Sequence, residues 1–229
     1  MSSSDKSPKL LNYKTVEREA SAETVIEKSR FIGYVKPVKS EEEAQAFMAV
    51  IRKKHWDATH NVPVYVLGPE YHAQKFSDDG EPQGTAGLPI LSMLKNEGIT
   101  DVVVVVTRYF GGVKLGTGGL VRAYTQSAQL GLAAAGVIER VIHRRVSAVV
   151  DYTLLGKVQN YLAGHPTIRV ADTLYTDHVT LELLVLPEEE AAVHSAMVDL
   201  TSAQLDWVPG ELEEISCLAV LRTHGHGDA

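Results

Sequence analysis

Arg108-Tyr-Phe-Gly-Gly-Val-Lys-Leu-Gly-Thr-Gly-Gly-Leu-Val-Arg-Ala-Tyr124 follows the most hydrophobic strand pattern of the chain, Asp101-Val-Val-Val-Val-Val-Thr107, and runs into an amphipathic helix. Gly111, Gly112, Gly116, Gly118 and Gly119 therefore occupy a strand-to-helix junction. A main chain without Cβ atoms lets another molecule approach, and the first N–H groups of a helix present partial positive charge to an anion. Arg108, Lys114 and Arg122 carry the same sign, Thr117 stands among them, and no Asp or Glu occurs between Asp101 and Glu139. These nine residues form the candidate binding site, although two Gly-Gly pairs also serve as ordinary tight turns. The string is not a phosphate loop of the usual kinds. Lys114 precedes the second glycine cluster, and no G-x-G-x-x-G spacing is present, so nucleotide hydrolysis is not supported.

Working outward, 229 residues suit two modest domains, and 45% hydrophobic with 22% charged residues is enough apolar material for a packed core. The net charge of −7 is unevenly placed. Eighteen basic and 16 acidic residues precede Arg145, whereas 4 and 13 follow from it, so the acidity belongs to the second half and the first is free to carry a basic patch. The lone Cys217 excludes an internal disulfide, reads as a buried thiol in Ile215–Leu221, and fits a reducing compartment. With no signal-peptide core near Met1 and no membrane-length apolar stretch, a cytoplasmic location without membrane association is expected.

Residues 1–20 read as a flexible N-terminus. Thr24–Val38 reads as a strand pair or one bent strand, and Ser40 as the cap of a helix whose Glu41, Glu42 and Glu43 complement its dipole and whose Ala44, Phe47, Met48 and Ile51 form one apolar face. Val62–Leu67 is a strand in which Pro63 implies an edge or entry position. Phe76–Gly87 is an acid-rich loop, and Pro89–Glu97 a helix ended by Gly98. After the junction, Leu120, Ala123, Tyr124, Ser127, Ala128, Gly131 and Ala135 form a stripe of small residues suited to close packing on a sheet, ended by Gly136. A joint near 137–145 then separates a second pattern: strand 146–152, helix 154–163, strands 168–175 and 179–186, helix 188–200 and strand 204–208. That order is βαββαβ, the ferredoxin-like split arrangement. Pro187 and Glu188–Glu190 read as the start of its second helix, and the His224-Gly-His-Gly tail as disordered.

The strings Glu27-Lys-Ser-Arg-Phe-Ile-Gly33, Phe76-Ser-Asp-Asp-Gly-Glu-Pro-Gln-Gly-Thr-Ala-Gly87 and Arg108–Tyr124 together resemble the Impact family, which includes bacterial YigZ-like proteins. The resemblance implies an α/β (α+β) chain. It divides as a flexible 1–20, an Impact N-terminal domain over 21–140, a ferredoxin-like domain over 141–210 similar to the fifth domain of elongation factor G, and a C-terminal extension over 211–229. The first domain is expected to have a mixed sheet and the fold of a ribosomal-protein domain with a left-handed βαβ crossover. The resemblance also implies a link to translation, since eukaryotic relatives regulate an initiation-factor kinase pathway by binding a ribosome-associated activator. Where the family often carries an aromatic or a cysteine after the His60-Asn61 pair, this chain has Val62-Pro63.

His60, Asp78, Asp79 and Glu81 form a second candidate cluster, since carboxylates with one imidazole suit a hard metal or acid/base work if the loops converge. Turn chemistry selects an Asp-Asp-Gly-Glu-Pro loop equally well. Zinc spacing, a G-x-S-x-G elbow and a catalytic triad are absent from the sequence, and no catalytic residue, metal or cofactor is assigned. Tyr109, Phe110 and Tyr124 offer rings for stacking on bases, or for the core. Three readings follow. The leading one is a non-enzymatic binding module linked to translation regulation, contacting RNA phosphate or a ribosome-associated protein through 108–122. The others are a small-molecule enzyme using His60 with the acidic loop 77–81, and a protein-only adaptor acting through the acidic C-terminal domain.

Overall fold

A computed structural model describes residues 12–218. In chain order its elements are β1 (Tyr13–Val16), β2 (Ala20–Ile26), β3 (Ser29–Pro37), α1 (Glu41–Lys54), β4 (His60–Leu67), β5 (Ala73–Phe76), α2 (Gly87–Asn96), β6 (Val102–Tyr109), α3 (Gly116–Ala135), β7 (Val137–Val150), α4 (Tyr152–Ala163), β8 (Arg169–Tyr175), β9 (Val179–Val185), α5 (Glu190–Thr201) and β10 (Leu205–Leu218). They divide into two compact units. One holds Asn12–Arg140 with the end of β10 from Ser216, and the other holds Val141–Ile215. The expectations for residues 1–11, the Cys217 side chain and the His224 tail lie outside the described residues.

The first unit is built on a sheet of order β2-β3-β6-β4-β5. The valine run is its middle strand, and period 2 splits it cleanly: Val102, Val104 and Val106 face one core with Phe31, Val35, Val62, Val64 and Val66. Val103 and Val105 face the other with Ile32, Tyr34, Tyr65 and Leu67. Both faces need a helical cover. α1 supplies one through Ala44, Phe47 and Ile51, and α2 and α3 supply the other. Ser40 caps α1 by accepting the Glu43 amide, with Glu41–Glu43 at its positive end and Arg52–Lys54 in its last turn. All seven residues of the small stripe on α3 are buried. A Cβ on Gly33 would lie 2.2 Å from the Ser127 carbonyl oxygen, so α3 rests directly on the β3 backbone.

In the second unit β7 pairs with β9 and with β10, and β9 pairs antiparallel with β8, giving the strand order β10-β7-β9-β8 of a ferredoxin-like fold. Val158, Leu162, Val193 and Met197 from α4 and α5 close its core over Val146, Ala148, Leu181 and Leu183. Asp151 caps α4 by accepting the Thr153 amide.

Several expectations change. Every neighbouring pair in the first sheet is antiparallel, so it is not mixed. The N-terminus is not loose through residue 20: Tyr13 and Val16 are buried, and β1 pairs with residues 137–140. The boundary between the units, Arg140 to Val141, falls inside the expected joint at 137–145, but these residues are continuous strand β7 rather than a loop. β10 continues past the expected end at Val208 to Leu218, with Arg145 bonded to Glu213 at 2.6 Å. α5 starts at Glu190, not Pro187. Pro63 lies in an internal strand, and its carbonyl accepts the Ser77 amide on the β5 side. Its ring nitrogen faces that side too, so the ladder to β6 loses no donor.

Replacing Gly33 by alanine forces α3 outward or the strand to buckle. The expected loss is about 1–3 kcal/mol, the usual cost of overpacking, read from the denaturant midpoint. An unchanged midpoint contradicts the close approach.

Candidate functional site

The strand directions bring four distant segments to one end of the first sheet. β3 and β4 enter there, β5 and β6 leave, α1 ends and α2 and α3 begin, as the registers Arg30↔Tyr109, His60↔Arg108 and Val64↔Phe76 require. This end therefore carries the turn before Ser29, the loop 55–59, the loop 77–86 and the glycine junction. The Glu81 side chain ties them together. Its Oε1 accepts from Arg108 Nη1 at 2.6 Å and from the Tyr124 hydroxyl at 2.7 Å. Arg108 Nη2 and the Gly111 amide both donate to Ser29 Oγ at 3.2 Å. Burial and the Glu81 carboxylate raise the Tyr124 pKa, which keeps the phenol a proton donor.

Arg108 is therefore not part of a surface patch. It is 5% exposed, with the Phe31 and Phe110 ring centroids 5.3 and 5.4 Å from its guanidinium carbon. A cation at a strand end looks solvated in sequence, but the loop carrying Glu81 folds over it. Gly111 is needed for the same closure, since its Cβ would lie 1.9 Å from the Lys28 carbonyl oxygen.

The acidic loop does not converge on a metal. Asp78 accepts the Gly84, Ala86 and Gly87 amides at 2.7, 3.1 and 2.9 Å, so it caps α2. Asp79 accepts from Arg52 and from the Asn61 amide at 2.7 and 2.6 Å. His60 Nδ1 lies 2.7 Å from the Asp79 carbonyl, which only accepts, so Nδ1 carries the proton. Its Nε2 is 3.6 Å from Glu81 Oε1, too far for a hydrogen bond. Among the described residues, no three His, Cys, Asp or Glu side chains gather to hold a metal.

A neighbouring chain of hydrogen bonds escapes sequence reading. Tyr34 Oη and His55 Nε2 are 2.7 Å apart, His55 Nδ1 and Tyr109 Oη 2.8 Å, and Tyr109 donates to Asp57 at 3.2 Å. One neutral tautomer satisfies the whole chain. Burial, with Lys54 and Arg30 nearby, lowers the His55 pKa accordingly.

Lys114 and Arg122 remain exposed and share a groove of about 410 Å³, also lined by Ile26, Glu27, Leu115 and Gly119. Neither makes an ion pair among the described residues. α3 begins in this groove with no side-chain cap, so its first amides, over Gly116, Thr117, Gly118 and Gly119, lack an intrahelical acceptor. Gly112 and Gly116, at φ 86° and 70°, shape the approach. The junction thus divides: Lys114, Arg122 and the helix start meet, whereas Arg108 and the 78–81 acids serve the framework.

Glu81→Gln leaves Arg108 buried without a counter-charge and is expected to cost about 3–5 kcal/mol of unfolding free energy. Arg108→Met with Glu81→Leu removes both charges and is expected to recover much of that loss in denaturant unfolding. A loss below about 1 kcal/mol for Glu81→Gln contradicts the buried pair.

Residues 27–132 match the family model described as the Impact N-terminal domain, and residues 149–204 match a domain of unknown function (DUF1949). The chain is 46% identical over 203 residues to the IMPACT family member YvyE of Bacillus subtilis, covering 89% of this chain and 93% of that one. It is 40% identical over 131 residues to the IMPACT family member YigZ of Escherichia coli, covering 56% of this chain and 61% of YigZ. A crystal structure of a hypothetical protein superposes with a TM-score of 0.54 at 28% identity, covering 88% of this chain and 98% of that one. A 46% identity spread over nearly all of both chains leaves one assignment: this protein belongs to the IMPACT family, with a ferredoxin-like domain following its Impact N-terminal domain.

Proposed function

We propose that the protein is a non-enzymatic binding module of the cytoplasm that contacts RNA phosphate at the glycine junction, in the translation-linked setting that the family resemblance implies. The observation that carries this reading is the pairing of Lys114 and Arg122 in one groove at the uncapped start of α3. Helix amides without an intrahelical acceptor, with two cations that make no ion pair among the described residues, suit a phosphate oxygen. No helix among the described residues is long and apolar enough to cross a membrane. Glu27 is the one acid in the groove lining and opposes the anion.

Two cations predict a modest and salt-sensitive affinity. At −0.7 per neutralised phosphate of a single strand, the log-log slope is about −1.4, and a fourfold rise in salt weakens binding about sevenfold. Lys114→Ala with Arg122→Ala should flatten that slope without unfolding an exposed surface, and Glu27→Gln should tighten binding. Titration of single-stranded RNA across a salt series checks all three. No binding by the wild type at low salt removes the RNA reading, and the contact then passes to a protein partner.

A further inference from the structure

We infer that Trp56 and Phe110 are stacking positions for the bases of a single-stranded nucleic acid whose phosphates reach the Lys114–Arg122 groove, an inference that rests on the RNA reading above. The first observation is exposure. Trp56 is 83% exposed and Phe110 48%, where buried or half-buried rings are the rule. The second is placement. The loop 55–59 is pinned to the end of β6 by the Thr59 amide on the Arg108 carbonyl at 2.9 Å, by the Phe110 amide on Thr59 Oγ1 at 3.0 Å and by Tyr109 on Asp57. Both rings therefore stand at the same end of the sheet as the groove. Lys114 is only four residues on from Phe110, a span of at most about 14 Å.

The third observation is charge. Lys53 and Lys54, just before Trp56, and Lys28, on the turn covered by Gly111, are exposed and make no ion pair among the described residues. Asp57 and Glu27 are the opposing acids beside them, and Asp57 is engaged by Tyr109. Phe110 is also held ready, because its backbone amide is bonded and the buried Arg108 guanidinium sits against its ring. Lys54 also lies over the Tyr34 ring at 4.9 Å. Lysines without an ion pair among the described residues, set beside preset, exposed rings, are the pattern that holds a flexible strand by backbone charge and base stacking, without sequence readout. An acidic protein surface would also meet rings and lysines, and it is the alternative that the RNA titration separates.

The test is titration of a short oligouridylate, and of an RNA duplex of the same length, into the full chain and its Trp56→Ala/Phe110→Leu variant across a salt series. Trp207→Phe in both leaves Trp56 as the fluorescent reporter in the parent. Stacking predicts quenching of Trp56 by the single strand, and a variant whose affinity for it falls about 5- to 100-fold for each stacked base lost, with the salt slope unchanged. Duplex binding should stay the same, because its bases are already stacked. An unchanged denaturant midpoint shows that the variant is folded. Wild-type-like binding of the single strand by the variant overturns the stacking positions and leaves the groove standing. An equal loss on the duplex also overturns them. A parent that binds neither RNA overturns this inference and the RNA reading together, and assigns the rings to a protein partner.

Discussion

The ion pair between Arg108 and Glu81 is the constraint on which this end of the molecule depends. Taking two charges out of water costs several kcal/mol per ion, and their attraction offsets it only where further hydrogen bonds complete both groups. Here Tyr124 adds a donor to Glu81 and Ser29 an acceptor to Arg108. The Phe31 and Phe110 rings against the guanidinium supply a weaker electrostatic contact, and Arg108 Nε is left without a hydrogen-bond partner. The result is a knot of four segments far apart in sequence: Ser29 on β3, the loop before α2, the end of β6 and the third turn of α3. A framework fixed this way lets the β2–β3 turn press on Gly111 and sets the start of α3 facing outward.

That arrangement is the ground on which binding is proposed for the site. Asp78 is committed to three backbone amides, Asp79 to Arg52 and Asn61, Glu81 to the knot, and His60 Nδ1 to a carbonyl. Each of these groups is engaged with backbone or with a framework side chain. The groups left over at and beside the groove, among the described residues, are mainly cations, helix amides and exposed rings, the features on which the proposed binding rests. The charge division agrees with this placement, because the excess acid lies in the ferredoxin-like unit.

Much of the fold was legible because its signals are local. Ser40 with its glutamates, the small stripe on α3 and the alternation inside the valine run need only helix and strand periods to be read. What was not legible depends on partners distant in sequence. Tyr13–Val16 is four residues long and becomes a strand only because residues 137–140 lie beside it. Pro63 is tolerated in an internal strand because of which way its nitrogen faces, and the sequence does not carry that direction. Arg108 looked like its neighbours Lys114 and Arg122, and only the register that sets it opposite His60, under the loop of Glu81, separates them. Trp56, directly after Arg52-Lys-Lys-His55, carries no sequence signal that separates an exposed ring from a buried one.

The central claim is that the knot leaves the start of α3 and its two cations as the surface that meets RNA. Amide hydrogen exchange, compared in the free chain and with a single-stranded RNA at low salt, tests it most directly. The account predicts slowed exchange in peptides covering 108–122, with residues 141–215 unchanged. Protection confined to 141–215, with 108–122 unaffected, contradicts it.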